Sequence, residues 1–526
     1  MNNPASLPRR GHRLWFLLGV VLLAAGAFTY LNLQSEMDSN IQGLMRVLVM
    51  LIALVLSLIW FLFLSRFSWW LKLGGVVVIA GLIFGLKTFT RRDGAADGSG
   101  IPRIVWAWTP QHQTAPLPAA KEVAPAHTDI PDVPQFFGPN RDGVVHGAHL
   151  DPDWAAHPPK QLWRQPAGLG WGAFSVAGGR AFTLEQRGDD EVITCYDVVT
   201  GALVWSHAHP KVRFAEWQGG DGPRSVPTLA GGKVFAMGAT GILDCLNAAD
   251  GSVVWTRNIL TDIGQTNLMW AKSNSPLVLE DKIIVTGGEK KDAQGKDQPA
   301  PCVMAYQRDN GTPLWTAGED KSSYASPVLV TLAGKSVVIS SNADNLTFHD
   351  PATGEVLLTY PWGVPNWPRA AQPLIVPGDK VFISAGYGNG CAMLQIKAGP
   401  DGKLAATQLW ASHKMKTQFN SVHLYEGHIY GLDDGSLACM DAATGDRLWK
   451  DGRFGAGQTL LVDDTVLIQA EKGDILLTAA QPTGYKELGH ISGALTSKTW
   501  NHPVLAGKYL LVRNDREMAC YELPVK

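Results

Sequence analysis

One short phrase recurs along most of this chain and constrains its fold more than any other feature. It reads CYDVVTGALVW at 195–205 and returns, altered, from residues 245, 305, 348 and 439, with degenerate copies near 394 and 477 and a truncated copy at 520. Neighbouring copies begin 38 to 60 residues apart. A period of this size is the signature of supersecondary units that are stacked or arranged around an axis.

Each copy predicts short strands joined by tight turns. An apolar, often β-branched run is followed by a second short strand and then by Asp/Asn-x-x-Thr/Asp/Asn-Gly. The Asp or Asn side chain accepts hydrogen bonds from backbone N–H groups of the turn, and Gly supplies a positive φ. The next apolar strand ends in Trp, a large ring expected to pack between neighbouring sheets. The predicted blade-packing residues are Trp163, Trp205, Trp255, Trp315 and Trp449.

Counting the turns gives eight copies, of which the last lacks its Trp-containing strand. Segment 161–166 (QLWRQP) carries Trp163 with no turn before it. We therefore expect this segment to supply the missing strand and close a ring without an open sheet edge. Residues 161–526 divided by eight give about 46 residues per unit, enough for four strands and their turns. The sequence predicts an all-β, eight-bladed β-propeller.

The Asp-x-x-Thr-Gly-x-x-x-Trp pattern resembles the tryptophan-docking motif of the pyrroloquinoline quinone (PQQ)-type β-propellers. That superfamily includes quinoprotein dehydrogenases and BamB-like scaffolds of outer-membrane assembly. The segments FFGPNRDGVV (136–145), GDGPRSVPT (220–228) and LLVRNDREMACYELP (510–524) resemble uncharacterised bacterial proteins with PQQ-like repeats. The resemblance extends from about residue 134 to the C-terminus and implies the propeller fold. It leaves enzyme and scaffold open, because the superfamily contains both.

The first 92 residues have the composition of a membrane anchor. Residues 14–31 and 47–64 are apolar runs of 18 residues each, long enough to cross about 30 Å of hydrocarbon. A third run, 73–86, reaches that length only if Trp69, Trp70 and Leu71 join it. We therefore predict three transmembrane helices in 1–92, a Pro/Ala-rich linker and lead-in in 93–160, and the propeller in 161–526.

The charges around these runs predict the topology. Lys and Arg are slightly more numerous before the first run and between the second and third than in the other two flanks. Since the first helix usually dominates orientation, the N-terminus is placed in the cytoplasm and, with three spans, the propeller in the periplasm. The predicted protein is a multi-pass protein of the bacterial inner (cytoplasmic) membrane.

Aligned repeats place polar and aromatic residues at the entry to the innermost strands, where a propeller surrounds its central channel. These channel-mouth ligand candidates are Trp171, Arg224, Ser225, Asn274, Tyr324, Gln372, Asn420, Gln458, Trp500, Asn501 and His502. Small polar groups inside a ring of aromatics and one Arg resemble a ligand site. The alternative is that these hydroxyls and amides satisfy backbone groups at strand ends. The pattern assigns no catalytic residue and no metal ligands.

A PQQ-dependent quinoprotein dehydrogenase oxidising an alcohol or sugar is one of two functions that the sequence leaves open. It would need Ca²⁺ held by oxygen ligands, a carboxylate base and flat walls for the quinone. The residues that offer oxygen ligands or a wall are Asn342, Asp344, Asn345, Asp350, Trp270 and Trp217. Against this function, an Asn/Asp-rich segment is typical of turns, and the aligned inner positions carry no carboxylate.

We favour the other function, a non-catalytic binding or assembly scaffold of the cell envelope with no assigned cofactor. It requires only a rigid disc with variable loops. The longest loop before the second repeat carries Arg213, Phe214 and Trp217, residue types enriched at binding hot spots. The expected partners are the cytoplasmic membrane and envelope proteins. A near-neutral balance of 45 basic and 47 acidic residues gives no support for nucleic-acid binding.

Overall fold

The computed structural model describes residues 12–33, 39–95, 102–109, 117, 129–216, 219–362, 368–399 and 401–526. The chain divides into two compact units, residues 1–111 and residues 112–526. The domain boundaries expected at residues 92 and 160 stay predictions.

Helices dominate the N-terminal unit. They are α1 (His12–Leu33), α2 (Ser39–Ile59), a π-helical turn (Trp60–Leu64) and α3 (Trp69–Phe89). Three segments of 20, 23 and 21 residues within them are long and apolar enough to cross a membrane. The third segment includes Trp69, Trp70 and Leu71, and the Ser68 hydroxyl accepts the Leu71 N–H at 3.5 Å where α3 begins. The third segment is therefore long enough to serve as a third membrane span.

A hairpin follows α3 that the sequence analysis did not predict. Its strands are β1 (Thr90–Ala95) and β2 (Pro102–Trp106), which pair antiparallel. The rings of Trp106 and Trp108 stack beside it, with centroids 5.0 Å apart. The repeat does not reach this segment, so its pattern carried no signal for these strands.

Eight sheets form the C-terminal unit, and the predicted eight-bladed propeller is confirmed. The segment before blade 1 contributes β3 (Val144–Val145) and β4 (Lys160–Pro166). From the channel outwards, blades 1 and 2 contain β5 (Ser175–Ala177), β6 (Arg180–Arg187), β7 (Asp190–Asp197), β8 (Leu203–His209), β9 (Thr228–Ala230), β10 (Lys233–Met237), β11 (Ile242–Asn247) and β12 (Val253–Asn258). A short helix, α4 (Ile259–Asp262), follows blade 2.

The remaining blades repeat this order. Blades 3 to 5 contain β13 (Leu277–Val278), β14 (Lys282–Thr286), β15 (Val303–Gln307), β16 (Pro313–Ala317), β17 (Val328–Leu332), β18 (Lys335–Ser341), β19 (Asn345–His349), β20 (Val356–Pro361), β21 (Leu374–Val376), β22 (Lys380–Ala385), β23 (Gly390–Ala398) and β24 (Leu404–Ser412). Blades 6 to 8 contain β25 (His423–Tyr425), β26 (His428–Asp433), β27 (Ser436–Asp441), β28 (Arg447–Asp451), β29 (Gln458–Val462), β30 (Thr465–Gln469), β31 (Ile475–Ala479), β32 (Glu487–Ile491), β33 (Val504–Ala506), β34 (Tyr509–Arg513) and β35 (Glu517–Glu522).

The closing strand of the ring comes from the N-terminal side of the propeller, as the sequence indicated. Strand β4 pairs antiparallel with β35 and completes blade 8, with Trp163 opposite Cys520. The closing strand begins at Lys160 rather than Gln161. Blade 7 gains a fifth strand, because β3 pairs parallel with β29. The first and last segments of the propeller are thus both held in its sheets.

Trp residues and the turn glycines of the next blade join neighbouring sheets. A Cβ added to Gly201 would lie 2.7 Å from the Trp163 ring, and one added to Gly251 would lie 2.5 Å from Trp205. Trp255 and Trp315 meet Gly311 and Gly354 in the same way, and the indole nitrogen of Trp449 donates to the Gln481 carbonyl at 3.0 Å. Trp410, which the sequence analysis missed, lies against Gly445. Glycine at positive φ therefore provides the flat surface on which five of these rings rest, all but that of Trp449.

The interior of each blade is apolar on both faces. Strand β10 is buried from Val234 to Met237 because sheets of the neighbouring blades cover it, whereas the outermost strand β12 buries only Trp255. The six cysteines are all buried and free. They act as small apolar side chains in this core.

Candidate functional site

The entries to the innermost strands meet at one end of the central channel, called here the mouth. Serine hydroxyls link this layer from blade to blade. The Ser275 hydroxyl accepts the Val226 N–H at 2.9 Å, and the Ser326 hydroxyl accepts the Ser275 N–H at 2.9 Å. Further round, the Ser421 hydroxyl accepts the N–H of Gln372 at 3.0 Å. Serine hydroxyls of the aligned ring thus link blades 2 to 4 and, separately, blades 5 and 6.

Predicted ligand residues with amide or hydroxyl groups are engaged with backbone carbonyls. Asn501 donates to Gly172 at 2.7 Å, Gln458 to Trp500 at 2.9 Å and Asn420 to Leu432 at 3.2 Å. The donors Ser225 and Asn274 bond the carbonyls of Met237 and Ala325. The Gln372 amide faces both backbone groups of Ser326, and in one of its two amide orientations it pairs with both at 2.8 Å. The contacts of Asn501, Gln458, Asn274 and Gln372 join neighbouring blades, whereas Asn420 and Ser225 bond carbonyls of their own blade. All of them satisfy backbone groups at the mouth, where unpaired groups would be costly.

Aromatic side chains form the surface of the mouth. The Trp500 ring has its centroid 5.0 Å from that of Trp171 and 5.1 Å from that of Phe419. The Lys498 ammonium lies 3.9 Å from the Trp500 centroid and 4.9 Å from that of Trp171, which is cation–π geometry. Trp270 and Tyr324 form a second aromatic pair, with ring centroids 5.7 Å apart. We call these five rings, Trp171, Phe419, Trp500, Trp270 and Tyr324, the aromatic mouth.

The insertion loop, residues 210–224, lies beside the aromatic mouth. Arg213 bonds Asp221 at 2.9 Å, and the Phe214 N–H donates to the Gln186 side chain at 2.9 Å. The Arg224 guanidinium donates to the Trp270 carbonyl at 2.6 Å and lies 5.7 Å from the centre of the Phe214 ring. Burial lowers the pKa of Arg224 to about 10. Trp217, the third predicted partner-loop residue, lies outside the described residues.

A carboxylate also reaches the mouth, which the alignment of inner strands did not reveal. Glu471 follows β30, and its Oε1 accepts the indole N–H of Trp500 at 2.8 Å. Its Oε2 accepts the Ala456 N–H at 3.1 Å. Glu471 therefore orients Trp500 from the neighbouring blade.

The other end of the channel is filled by residues 131–147, which we call the plug. Val133 forms an isolated bridge with Val176 of blade 1, and Val144 pairs with Leu461 of blade 7. Between these contacts, Arg141 donates to the carbonyls of Ser275 and Pro276 at 2.9 Å. Burial lowers the pKa of Arg141 to about 9. The plug corresponds to FFGPNRDGVV, a segment without periodicity and hence without a predicted structure.

His502 contacts the plug rather than the aromatic mouth. Its ring centroid lies 4.4 Å from that of Phe137 and 5.0 Å from that of Phe136, both edge to face. Burial lowers the pKa of His502 to about 3, and nearby His423 adds to this effect. Two cavities of about 270 and 300 Å³ remain between the plug and the inner strands. His502 lines the larger cavity and Gln372 the smaller one.

The oxygen ligands proposed for a PQQ-bound calcium ion are not brought together. Asp344 and Asp350 flank the two ends of β19, and six residues of extended chain span about 20 Å. The Asp350 carboxylate accepts the N–H groups of Ala352 and Thr353 at 2.8 and 2.9 Å, which is turn chemistry. Asn342 donates to the Thr347 hydroxyl at 2.8 Å. These residues do not fit a shared cation site, so no step through PQQ is derived from them.

Comparison with known proteins gives a family. The family model described as "Outer membrane protein assembly factor BamB" matches residues 189–451. A search among curated proteins returns no match. Among solved structures, BamB from Moraxella catarrhalis is 14% identical with a TM-score of 0.49, covering 69% of this chain and 98% of its own.

Two further solved structures are dehydrogenases. A europium-containing methanol dehydrogenase is 11% identical, with a TM-score of 0.47 and coverage of 75% of this chain and 98% of its own. The quinohemoprotein alcohol dehydrogenase from Comamonas testosteroni is 12% identical, with a TM-score of 0.43 and coverage of 75% and 81%. These likenesses do not distinguish a binding protein from an enzyme.

Proposed function

The chain belongs to the BamB-like family of PQQ-repeat β-propellers, and on that premise we propose that it is a non-catalytic scaffold of the cell envelope that binds a protein partner at its aromatic mouth. One observation carries this proposal. The side-chain amides and hydroxyls aligned around the mouth donate to backbone carbonyls of their own or the adjacent blade. Aromatic rings line the mouth, and four of the five are half-buried. Such a surface suits contact with a partner better than acid–base chemistry.

The composition of this surface matches that of binding hot spots. Trp, Tyr and Arg are over-represented among residues that dominate binding free energy, and Trp500, Tyr324 and Arg224 lie here on rigid strand entries. Next to Trp270, the flexible side chain of Met269 is 56% exposed. Methionine adapts to irregular apolar partners. We therefore infer that a segment with exposed apolar side chains occupies the mouth.

The membrane part of the proposal rests on the three apolar helices of the N-terminal unit. With three spans and a cytoplasmic N-terminus, the propeller would lie in the periplasm, attached to the inner membrane. An alkaline phosphatase fusion after Lys526 should then be active and a cytoplasmic reporter at the same position inactive. The opposite pair of results would place the propeller in the cytoplasm and exclude an envelope partner.

Site-specific photocrosslinking in intact cells tests the binding site. A photoreactive residue at Met269, on the mouth side, should give one discrete crosslinked band. The same residue at Leu314 on the outermost strand of blade 3 is the control, because that side chain is 46% exposed. A band at Met269 but not at Leu314 supports a partner at the mouth. Equal labelling at both positions, or none at Met269, would overturn it.

A PQQ-dependent dehydrogenase makes the opposite prediction and is tested separately. Purified full-length protein is mixed with PQQ and Ca²⁺, and dye-linked oxidation of alcohols and sugars is followed. We expect no saturable PQQ binding and no dye reduction, because the candidate oxygen ligands lie at opposite ends of β19. Stoichiometric PQQ binding with turnover would show that the protein is an enzyme and would contradict the scaffold function.

A further inference from the structure

A second group of polar side chains lies away from the mouth rings, between blades 1 and 2. His207 and His209 belong to β8, the outermost strand of blade 1, and Asp244 to β11 of blade 2. Residues two apart on a strand point to the same face. One potential ligand atom of each residue lies within 4.8 Å of the other two. The two imidazole rings are 5.0 Å apart, with their planes at 84°.

Two of these side chains are already joined. The Nε2–H of His209 donates to Oδ2 of Asp244 at 2.7 Å, and the hydroxyl of Thr256 donates to Oδ1 at 2.6 Å. Asp244 is only 2% exposed. The carboxylate is therefore held in one orientation from both sides, as ligating carboxylates commonly are.

His207 is the member that hydrogen bonding does not explain. Its Nε2 is buried and has no hydrogen-bond partner among the described parts of the chain. Leaving a buried polar atom unsatisfied is costly, so such an atom calls for a ligand or another role.

A further carboxyl group lies next to the three residues. Glu191 is opposite His209 in the ladder between β7 and β8. Its Oε2 accepts the N–H of Ala239 at 2.8 Å. The surroundings therefore place a further carboxyl group beside the two imidazoles and the Asp244 carboxylate.

We propose that His207, His209 and Asp244 form a binding site for a divalent transition metal of the zinc class. Imidazole and carboxylate suit Zn²⁺, and three protein ligands leave one position open. With metal–ligand distances near 2.1 Å, ligand atoms in a tetrahedral site lie about 3.4 Å apart. The contact between His209 and Asp244 would open by about 0.7 Å, with the metal replacing the hydrogen that bridges them.

A metal at this site would fix the position of the first residues of the insertion loop. His209 is the last residue of β8, and the loop that carries Arg213 and Phe214 begins directly after it. A metal bound to β8 and β11 would tie blade 1 to blade 2 at the base of that loop. This inference does not depend on the proposed partner at the mouth.

The sequence analysis assigned no metal ligands, and the reason is geometric. His-x-His at 207–209 is visible in the sequence, but two histidines alone are a weak signal. Asp244 is 35 residues away from His209 along the chain. Its position opposite the histidines follows only from the packing of one blade on the next.

Metal titration of the whole protein tests the site. Full-length protein without a histidine tag is purified in detergent, stripped with a chelator and dialysed against Zn²⁺ or Co²⁺. We expect one Zn²⁺ per chain, and for Co²⁺ the intense visible absorption of a four-coordinate complex. No stoichiometric Zn²⁺ with excess metal, or only the weak spectrum of six-coordinate cobalt, would overturn the proposal without recourse to any variant.

Two matched variants locate the metal. His207→Ala leaves the pair of His209 and Asp244 intact, so we expect its melting temperature in chelator to equal that of the wild type. Its Zn²⁺ affinity should fall by about 100-fold or more. The control is His490→Ala, since His490 lies within 3.6 Å of Asp474 and 3.5 Å of Glu487 on an exposed surface. Unchanged affinity in His207→Ala, or an equal loss in His490→Ala, would contradict the assignment.

Discussion

The ring of Trp205 lies on Gly251 of the following blade. A Cβ atom at residue 251 would be 2.5 Å from Cε3 of the ring, and the indole nitrogen donates to the Ala248 carbonyl at 3.0 Å. The repeated Gly and Trp of the sequence are thus two halves of one contact between blades. Because a blade is too thin to bury its own faces, such contacts give the ring its stability.

Substituting Gly251 tests this contact. Gly251→Ala should destabilise the propeller by about 1–3 kcal/mol more than Gly232→Ala, because overpacking adds to backbone strain only at the first position. Gly232 is a suitable control, since its φ of +73° matches the +74° of Gly251 and a Cβ there would meet nothing within 4 Å. Urea unfolding followed by tryptophan fluorescence measures the difference. Equal losses would show that the ring does not rest on Gly251.

A buried carboxylate in blade 6 should contribute far more to the stability of the propeller than an exposed one. Asp433 has a fully buried side chain and bonds Lys450 at 2.8 Å and Arg447 at 3.1 Å, with Lys416 at 3.3 Å. Asp433→Asn removes the negative charge that these three cations share, and breaking a buried ion pair costs about 3–5 kcal/mol.

The control for this prediction is Asp446→Asn. Asp446 is 70% exposed and lies 3.6 Å from Lys414, so its removal should cost about 0–1 kcal/mol. Thermal unfolding of both variants at pH 7 gives the comparison. Similar melting temperatures for the two variants would mean that the cluster around Asp433 is not stabilising.

His502 predicts how stability depends on pH. Burial lowers its pKa to about 3 in the folded state, whereas an unfolded histidine titrates near pH 6.5. The folded protein therefore keeps the ring neutral, and stability present above pH 6.5 is lost as the pH falls towards 3. Between pH 7 and pH 5 the wild type should lose about 1–2 kcal/mol more than His502→Leu.

Denaturant unfolding of both proteins at the two pH values measures this difference. His423, whose pKa burial also lowers, stays in both proteins, so its own loss of stability enters both measurements. Identical losses in the wild type and in His502→Leu would show that His502 is not buried against Phe136 and Phe137.

The repeat predicted those parts of the fold that recur in every copy of the repeat. Turn chemistry and Trp spacing gave the eight blades and the closing strand, because each copy obeys the same packing rules. The sequence analysis missed Trp410 as a blade-packing residue because its turn, Gly-Pro-Asp-Gly, departs from the repeated pattern. The structure of the plug was not predicted for a different reason. Contacts with several blades at once determine its position, and an aperiodic segment carries no pattern that indicates them.

The site was less predictable than the fold. Alignment found the polar residues around the mouth, but it could not tell whether their side chains face a ligand or a backbone carbonyl. Glu471 reaches Trp500 from the neighbouring blade, and a carboxylate of this kind is invisible to an alignment of inner strands. Contacts between blades depend on the packing angle, which a one-dimensional pattern does not contain.

The most direct measurement is the yield of the Met269 photocrosslink when the aromatic mouth is altered. Trp500→Leu removes the ring that contacts both Trp171 and Phe419. If a partner binds at the mouth, losing a hot spot of at least about 1.4 kcal/mol should lower its affinity, and the crosslink at subsaturating partner, about tenfold. Gly232→Ala, on the side of the propeller away from the mouth, should leave the yield unchanged. An undiminished crosslink in Trp500→Leu would contradict a partner-binding role for the aromatic mouth.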